Sequence, residues 1–146
     1  MNERGDIIWA SSNSGGYQVT LYDGSTGQQS ALSPPIPGIP YMDINNNGDV
    51  VWQGNDSNDN EIFLYHSSSQ QIEQLTNNSI HDSTPKINDN GIIVWITGSG
   101  NGTELYRYDT NTSAGTQITN NSVADFELTL NDQGDMAWLS NDGDME

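Results

Sequence analysis

Two kinds of side chain are scarce or missing in this sequence. It contains no cysteine, and only Arg4, Lys86 and Arg107 are cationic against 20 aspartates and glutamates, so the formal net charge is −17. The absence of cysteine excludes disulfide bonds and thiol chemistry. The shortage of cations argues against nucleic acid and anionic membrane surfaces as partners, because both need clustered lysine and arginine. The charge favours solubility and contacts with cations or basic partners.

Long apolar runs are also missing. No stretch reaches the roughly 20 apolar residues of a membrane-spanning helix, and no basic segment followed by an apolar run marks a signal peptide at the N-terminus. Hydrophobic residues make up 32% of the chain, a fraction that leans towards disorder. The apolar residues nevertheless recur at regular positions, which disordered chains do not maintain. We therefore predict one folded domain over residues 1–146.

Tryptophan recurs every 43 residues, at Trp9, Trp52, Trp95 and Trp138. Each tryptophan ends a similar phrase, such as INNNGDVVW at 44–52. Three tyrosines keep the same spacing, namely Tyr22, Tyr65 and Tyr108. A fixed period of about 20–50 residues indicates a repeat architecture. The sequence divides into repeats 1–43, 44–86 and 87–129 and a partial repeat 130–146.

Each repeat has the pattern of four short strands. In the third repeat, an extended segment at 84–88 and an Asn-Gly turn precede a β-branched strand at 92–97. An alternating strand at 104–109 and a shorter strand at 116–119 follow. Asn and Gly both tolerate positive φ, which predicts tight hairpins. Four-stranded antiparallel units of this length are typical of the blades of an all-β, β-propeller fold, and a β-solenoid is the alternative.

The order of these motifs resembles the TolB-like (WD-repeat-like) β-propeller repeat. In the third repeat the matching positions are Pro85, the turn at 88–91, the Ile-Val-Trp segment at 93–95, the Tyr-x-Tyr-Asp segment at 106–109 and the Ile-Thr pair at 118–119. The Asn-x-x-Gly-Asp-Val-Val-Trp variant at 45–52 is similar to repeats of bacterial, often exported proteins. Met42 and Leu128 depart from the pattern, since they replace Pro85 in other repeats. The resemblance implies a six-bladed ring and no catalytic residues, because the motif is structural.

The chain accounts for about three blades, which is half of such a ring. We expect two chains to close one six-bladed ring as a homodimer, with the last inner strand of each chain completing the first blade of its partner. Residues 5–10 and 135–140 would then compete for one place. Repeat 1 begins in mid-unit, which suggests as an alternative that the chain is a piece of a longer, exported bacterial protein. The sequence does not determine the cellular compartment.

The repeated aromatic residues have two interpretations. The four tryptophans and three tyrosines recur on the most apolar strands, so we favour a structural repeat core that fills the space between blades. The alternative is that the tryptophans are platforms on one face, on which sugar rings stack.

A turn in the second repeat suggests a metal site. Its oxygen-bearing side chains alternate around a glycine like the first half of a calcium loop, at Asp43, Asn45, Asn47 and Asp49. Gly54 stands where a calcium loop has its bidentate glutamate, and Asn, Asp and Gly suit any hairpin turn. The loops at 55–60 and 141–144 are as acidic and no more specific.

No catalytic constellation can be assembled from the spacing. His66 and His81 lie outside any metal-binding motif, no nucleophile-elbow phrase is present, and the carboxylates are too numerous to single out a pair. We therefore predict a non-catalytic binding or scaffold module whose acidic surface mediates protein–protein interaction or self-assembly. The alternatives are a carbohydrate- or calcium-binding, lectin-like propeller, an enzyme with its active site in the central channel, and an excised or engineered fragment with no independent function.

Overall fold

A computed structural model describes residues 1–141 of the chain. The final residues of the partial repeat, 142–146, lie outside the described part. Residues 1–141 form thirteen β-strands in four antiparallel sheets. The single helical element among them is a 3-10 turn at Gly100–Gly102, so no described helix is long enough to cross a membrane. The prediction of an all-β chain is confirmed.

The strands follow each other in sequence order within each sheet. Sheet 1 contains β1 (Ile7–Asn13), β2 (Gly16–Tyr22) and β3 (Gln29–Ala31). Sheet 2 contains β4 (Met42–Ile44), β5 (Val50–Asn55), β6 (Asn60–His66) and β7 (Gln71–Gln74). Sheet 3 contains β8 (Asp82–Ile87), β9 (Ile92–Thr97), β10 (Glu104–Asp109) and β11 (Ala114–Gln117). Sheet 4 contains β12 (Ala124–Leu130) and β13 (Met136–Asn141).

The tryptophan strand is β1, β5, β9 or β13, depending on the sheet. In sheets 2, 3 and 4 an inner strand precedes it, whereas sheet 1 has no such strand within residues 1–141. The strand predicted at 116–119 lies two residues earlier, at Ala114–Gln117. The Ile118 N–H still donates to the Leu105 carbonyl oxygen at 2.7 Å. The strand ends there because the Leu105 N–H donates to Thr119 Oγ1 at 2.9 Å instead of to a backbone carbonyl.

The Asn-Gly turns differ from the prediction of positive φ at both residues. Only the glycines have it, with φ of 88° at Gly48 and 76° at Gly91. The turns close through a different asparagine, the first residue of each loop. Asn45 Oδ1 accepts a hydrogen bond from the Asp49 N–H at 2.9 Å, and Asn88 Oδ1 accepts one from the Ile92 N–H at 2.9 Å. Because this side chain satisfies the backbone across the loop, a single left-handed residue is sufficient.

The hydrophobic core lies between successive sheets and repeats from one junction to the next. Between sheets 1 and 2 the buried residues are Val19, Leu21, Leu32, Val50 and Trp52. Between sheets 2 and 3 they are Val51, Ile62, Leu64, Ile87, Ile93 and Trp95. Between sheets 3 and 4 they are Ile92, Val94, Ile96, Leu105 and Leu128. The tryptophan side of a sheet therefore faces the preceding sheet, and its opposite side faces the following one.

Gly16 holds the proline-rich segment after β3 against sheet 1. Tyr17 and Ile36 exchange two backbone hydrogen bonds of 2.9 and 2.7 Å. Gly16 has φ +131°, and a Cβ there would lie 2.4 Å from the Ile36 carbonyl oxygen.

We expect Gly16→Ala to lower the free energy of unfolding by more than about 1 kcal/mol, measured by urea denaturation. The control is Gly100→Ala, where φ is +66° but no atom lies within 4 Å of the added Cβ; equal losses would show that the Ile36 contact is unimportant.

Candidate functional site

One end of the sheets is linked by a series of asparagine side chains, which we call the asparagine ladder: Asn2, Asn45, Asn88 and Asn131. The Nδ2 atom of Asn2 donates to the Asn45 carbonyl oxygen at 2.9 Å, 43 residues along the chain. Asn45 donates to the Asn88 carbonyl at 3.1 Å, and Asn88 to the Asn131 carbonyl at 2.9 Å. The ladder therefore joins each turn to the equivalent turn of the next repeat.

A second row of bonds runs beside the ladder. The Glu3 N–H donates to Asn46 Oδ1 at 2.8 Å, the Asn46 N–H to Asp89 Oδ1 at 2.7 Å, and the Asp89 N–H to Asp132 Oδ1 at 3.4 Å. These side chains therefore serve contacts between repeats, a role that hairpin chemistry alone does not reveal.

The four residues of the predicted calcium turn are all engaged in this end of the fold. Asp43 Oδ2 accepts from the Ile87 N–H at 3.1 Å, and Asp49 Oδ1 accepts from the Ser67 N–H at 2.9 Å. Asn45 belongs to the ladder, and Asn47 Nδ2 donates to the Asp89 carbonyl at 2.8 Å. Each of the four therefore has a protein partner, and Asn45 Nδ2 also donates to Asp49 Oδ2 at 3.2 Å. Calcium binding at this turn stays a prediction.

Three acidic groups lie together at the opposite end of sheet 2, in the loop between β5 and β6 and at the start of β6. We call Asp56, Asp59 and Glu61 the acidic cluster; one carboxylate oxygen from each lies within 4.8 Å of the other two. Asp59 is 5% exposed and Glu61 is completely buried. Backbone N–H groups of Asn58 and Asp59 hold the pKa of Asp56 below its ordinary value, whereas burial raises the pKa of Glu61.

Two oxygens of the acidic cluster lack a protein partner. Glu61 Oε1 accepts from the Asn78 N–H at 2.7 Å, but buried Glu61 Oε2 accepts no hydrogen bond from residues 1–141. The same holds for buried Asp59 Oδ2. Buried carboxylate oxygens are normally hydrogen-bonded or bound to a cation. This end of sheet 2 is therefore the part of the described chain where side-chain chemistry is least explained by folding alone.

A buried polar network beside the cluster recurs in the next repeat. Asp82 accepts from Trp95 Nε1 at 3.2 Å and from Asn78 Nδ2 at 3.1 Å. The equivalent Asp125 accepts from Trp138 Nε1 at 3.2 Å and from Asn121 Nδ2 at 3.4 Å. The 43-residue phase of these residues could have revealed the network in the sequence, but the pairing of indole with carboxylate needs the fold.

The repeated aromatic residues differ in exposure. Trp52 is 2% and Trp95 5% exposed, and they stack on Phe63 and Tyr106 with ring centroids 5.7 and 5.8 Å apart. Two of the four indoles thus offer no open face to a sugar ring. Trp138 is 37% exposed. The half-buried members of the set are Trp9, Tyr22, Tyr65 and Tyr108.

The two outermost sheet faces are apolar and uncovered within residues 1–141. The N-terminal face is the tryptophan side of sheet 1, where Ile7 and Trp9 with Tyr22 line an open groove and Ile7 is 41% exposed. The C-terminal face is the far side of sheet 4, where Phe126 and Leu139 are directly paired across the strands and are 38% and 51% exposed.

The two histidines lie in separate places. His66 Nε2 is 3.0 Å from Glu73 Oε2 on the neighbouring strand. His81 Nδ1 accepts a hydrogen bond from the Asn60 N–H at 3.3 Å. Both rings are thus held by local contacts of sheet 2, and the structure does not bring them together.

The sequence matches no protein-family model and none of the curated proteins. Solved structures do match. TolB from Acinetobacter baumannii superposes with a TM-score of 0.69 at 20% identity, over 91% of this chain and 34% of that one. The tricorn protease matches with a TM-score of 0.68 at 17% identity, over 92% of this chain and 14% of that one. The β-propeller domain of the Trilobed protease from Pyrococcus furiosus, described as having an open velcro topology, matches with a TM-score of 0.54 at 12% identity, over 95% of this chain and 49% of that one.

The likeness establishes the class of the protein. Its structural neighbours include TolB and the β-propeller domain of the Trilobed protease, so the predicted β-propeller fold is confirmed. At these identities the likeness shows the fold alone. The chain spans only about a third of the length of A. baumannii TolB.

Proposed function

We propose that this chain is a non-catalytic β-propeller module that assembles with a second copy of itself through its N-terminal and C-terminal faces. The main support is the repetition of one junction. At each of the three sheet junctions, the tryptophan side of one sheet packs on the opposite side of the sheet before it. In a blade made of β12 and the partner's sheet 1, the N-terminal face would pack on sheet 3 in the place that sheet 4 now holds. The C-terminal face of β12 would pack on sheet 2 of the partner, so both uncovered faces would be buried.

The asparagine ladder supports the same direction of assembly. The Asn45 carbonyl accepts bonds from the Gly48 N–H and from the Asn2 amide, whereas the Asn2 carbonyl accepts one bond from the Gly5 N–H within residues 1–141. At the other end, Asn131 Nδ2 donates to Asp135 in its own turn and reaches no further turn in the described chain. In the six-bladed ring, Asn2 of one chain would take the place of its partner's Asn131, accept the bond from the partner's Asn88 and continue the ladder to its own Asn45.

The proposed product is a homodimer in which two chains close one six-bladed ring. Six blades fit the TolB-like repeat, here in its bacterial Asn-x-x-Gly-Asp-Val-Val-Trp variant. Because β1 and β13 hold equivalent places in the repeat, one of them has to leave its sheet when the ring closes. Two chains that each have a net charge of −17 repel one another, so association should strengthen as salt screens that repulsion.

Light scattering behind a sizing column tests this proposal. A monomer has a mass of 15.9 kDa, and we expect about twice that value at 0.15 M salt or above. When the partner's β1 replaces β13 beside β12, Ile7 on the N-terminal face and Phe126 on the C-terminal face are both buried. Ile7→Glu and Phe126→Glu should therefore each return the mass to that of the monomer, because a buried unpaired carboxylate opposes the contact. The control is Ile39→Glu, at a residue that is 69% exposed in the proline-rich segment and lies on neither face.

Two results would contradict the proposal. One is a monomer at all salt concentrations, which would mean that the two faces serve contacts with a different partner or with further blades of a longer protein. The other is a dimer that persists in both Ile7→Glu and Phe126→Glu, since the dimer would then use another surface.

A further inference from the structure

We propose that Asp56, Asp59 and Glu61 form a Ca²⁺-binding site at the end of sheet 2. This inference is independent of the proposed assembly, because the acidic cluster lies in the β5–β6 loop and at the start of β6 and uses none of the residues of the terminal faces. It also differs from the calcium site predicted at 43–49, which lies in the turn between β4 and β5 at the opposite end of the same sheet.

The first support is the convergence of three carboxylates. One oxygen from each of the three residues lies within 4.8 Å of the other two. Like charges at this distance oppose one another unless a cation or a proton neutralises them. The cations of this chain are Arg4, Lys86 and Arg107, and the ion pairs made by the two arginines are with Asp6 and Asp109, not with the cluster.

The second support is the pair of orphaned oxygens. Asp59 Oδ2 and Glu61 Oε2 are buried and accept no hydrogen bond from the described residues, and the two residues are 5% and 0% exposed. A buried carboxylate oxygen without a donor is an unusual and costly arrangement. A cation bound between the three side chains would satisfy both oxygens at once.

The chemistry of the ligands favours calcium. The cluster offers only carboxylate oxygens, with no histidine or cysteine, and hard divalent cations prefer such ligands. Ca²⁺ accepts about six to eight oxygens in a flexible geometry, whereas Mg²⁺ needs a near-ideal octahedron and keeps several of its waters. Three carboxylates fixed by one loop and the start of one strand therefore suit Ca²⁺ better than Mg²⁺.

The third repeat offers a matched control. Glu104 occupies the position of Glu61, accepts a bond from the Asn121 N–H at 2.8 Å, and likewise has a buried Oε2 without a partner within residues 1–141. Ser99 and Gly102, however, stand in place of Asp56 and Asp59. A single orphaned oxygen is thus common to both repeats, and only the second repeat combines it with two further carboxylates.

Isothermal titration of CaCl2 into the full chain, after chelator treatment and at 0.15 M NaCl and pH 7.5, tests the site. We expect one saturable site per chain with a Kd of roughly 10⁻⁵–10⁻³ M, accompanied by a rise in Tm. Glu61→Gln and Asp59→Asn should each weaken binding at least tenfold, whereas Glu104→Gln should leave it unchanged. Circular dichroism checks that each variant is folded, and Asp56→Asn, in the half-buried part of the loop, replaces any variant that is not.

Three results would overturn the assignment. If no saturable site is detected at CaCl2 concentrations up to about 10⁻² M, which is ten times the upper expected Kd, no specific site exists. Equal weakening in Glu61→Gln and Glu104→Gln would indicate diffuse binding to the acidic surface. Equal affinity for MgCl2 and CaCl2 would contradict the geometric argument for calcium.

Discussion

Replacement of Trp95 by alanine should reduce the free energy of unfolding by about 3–5 kcal/mol, a large part of the roughly 5–15 kcal/mol that stabilises a typical domain. The side chain is 5% exposed in the core between sheets 2 and 3 and stacks on Tyr106. Its Nε1 also donates to Asp82 Oδ1 at 3.2 Å, and Asp82 is only 1% exposed. The substitution therefore creates a cavity and also takes a hydrogen-bond donor from a buried carboxylate.

Trp138→Ala is the matched control for this prediction. Trp138 makes the equivalent bond to Asp125 at 3.2 Å, but it is 37% exposed because sheet 4 has only two described strands. We expect it to cost roughly half as much as Trp95→Ala, since less apolar surface returns to water. Urea unfolding followed by far-ultraviolet circular dichroism measures both without relying on tryptophan emission. If both variants lose the same free energy of unfolding, the buried contacts of Trp95 between sheets 2 and 3 add no stability.

The second large effect concerns the asparagine ladder. Asn88 is 4% exposed, its Oδ1 accepts the buried Ile92 N–H at 2.9 Å, and its Nδ2 donates to the Asn131 carbonyl at 2.9 Å. Asn88→Ala removes both bonds and leaves the buried Ile92 N–H without an acceptor, whereas the Asn131 carbonyl keeps its bond from the Gly134 N–H. At about 1–3 kcal/mol for the unsatisfied N–H and about 1 kcal/mol for the lost bond between repeats, we expect the free energy of unfolding to fall by about 2–4 kcal/mol in urea denaturation.

Asn131→Ala separates the two contributions to this loss. Asn131 closes its own turn by accepting the Asp135 N–H at 2.8 Å, but it is exposed and reaches no further turn within residues 1–141. We expect a loss of about 1 kcal/mol or less, because water can satisfy the exposed backbone groups. The difference between the two variants measures the bond between repeats. If both lose the same amount, the ladder contributes nothing beyond closing the turns.

The strands were predictable because their signals are local and repeated. The segment that ends in each tryptophan, such as 44–52, joins a turn to apolar residues that include β-branched ones. The tryptophan itself lies on one strand of each sheet, such as β5 or β9. The Asn-Gly turn itself was only partly predictable. Positive φ is confined to the glycines, because the side chain of Asn45 or Asn88 closes the loop from a position four residues away.

The site could not be predicted, because both of its features depend on contacts between distant segments. Asparagine is common in any hairpin turn, so nothing local indicated that the Asn45 amide reaches Asn88 of the next repeat. The loop at 55–60 had the composition of a solvated loop. The burial of Glu61 arises from the packing of β6 in the interior of sheet 2, and Glu104 on β10 of sheet 3 is buried in the same way. Only the fold shows that Asp56 and Asp59 lie beside this buried carboxylate.

The asparagine ladder also has an evolutionary consequence. Each of its bonds joins residues that lie 43 positions apart, and the donor and acceptor belong to the same residue type in every repeat. A duplicated unit such as 44–86 would accept a bond from the unit before it and donate one to the unit after it. Unequal crossing-over could therefore lengthen or shorten the gene by whole repeats without requiring any compensating substitution at this end of the sheets, whereas an insertion inside a unit would displace every later rung.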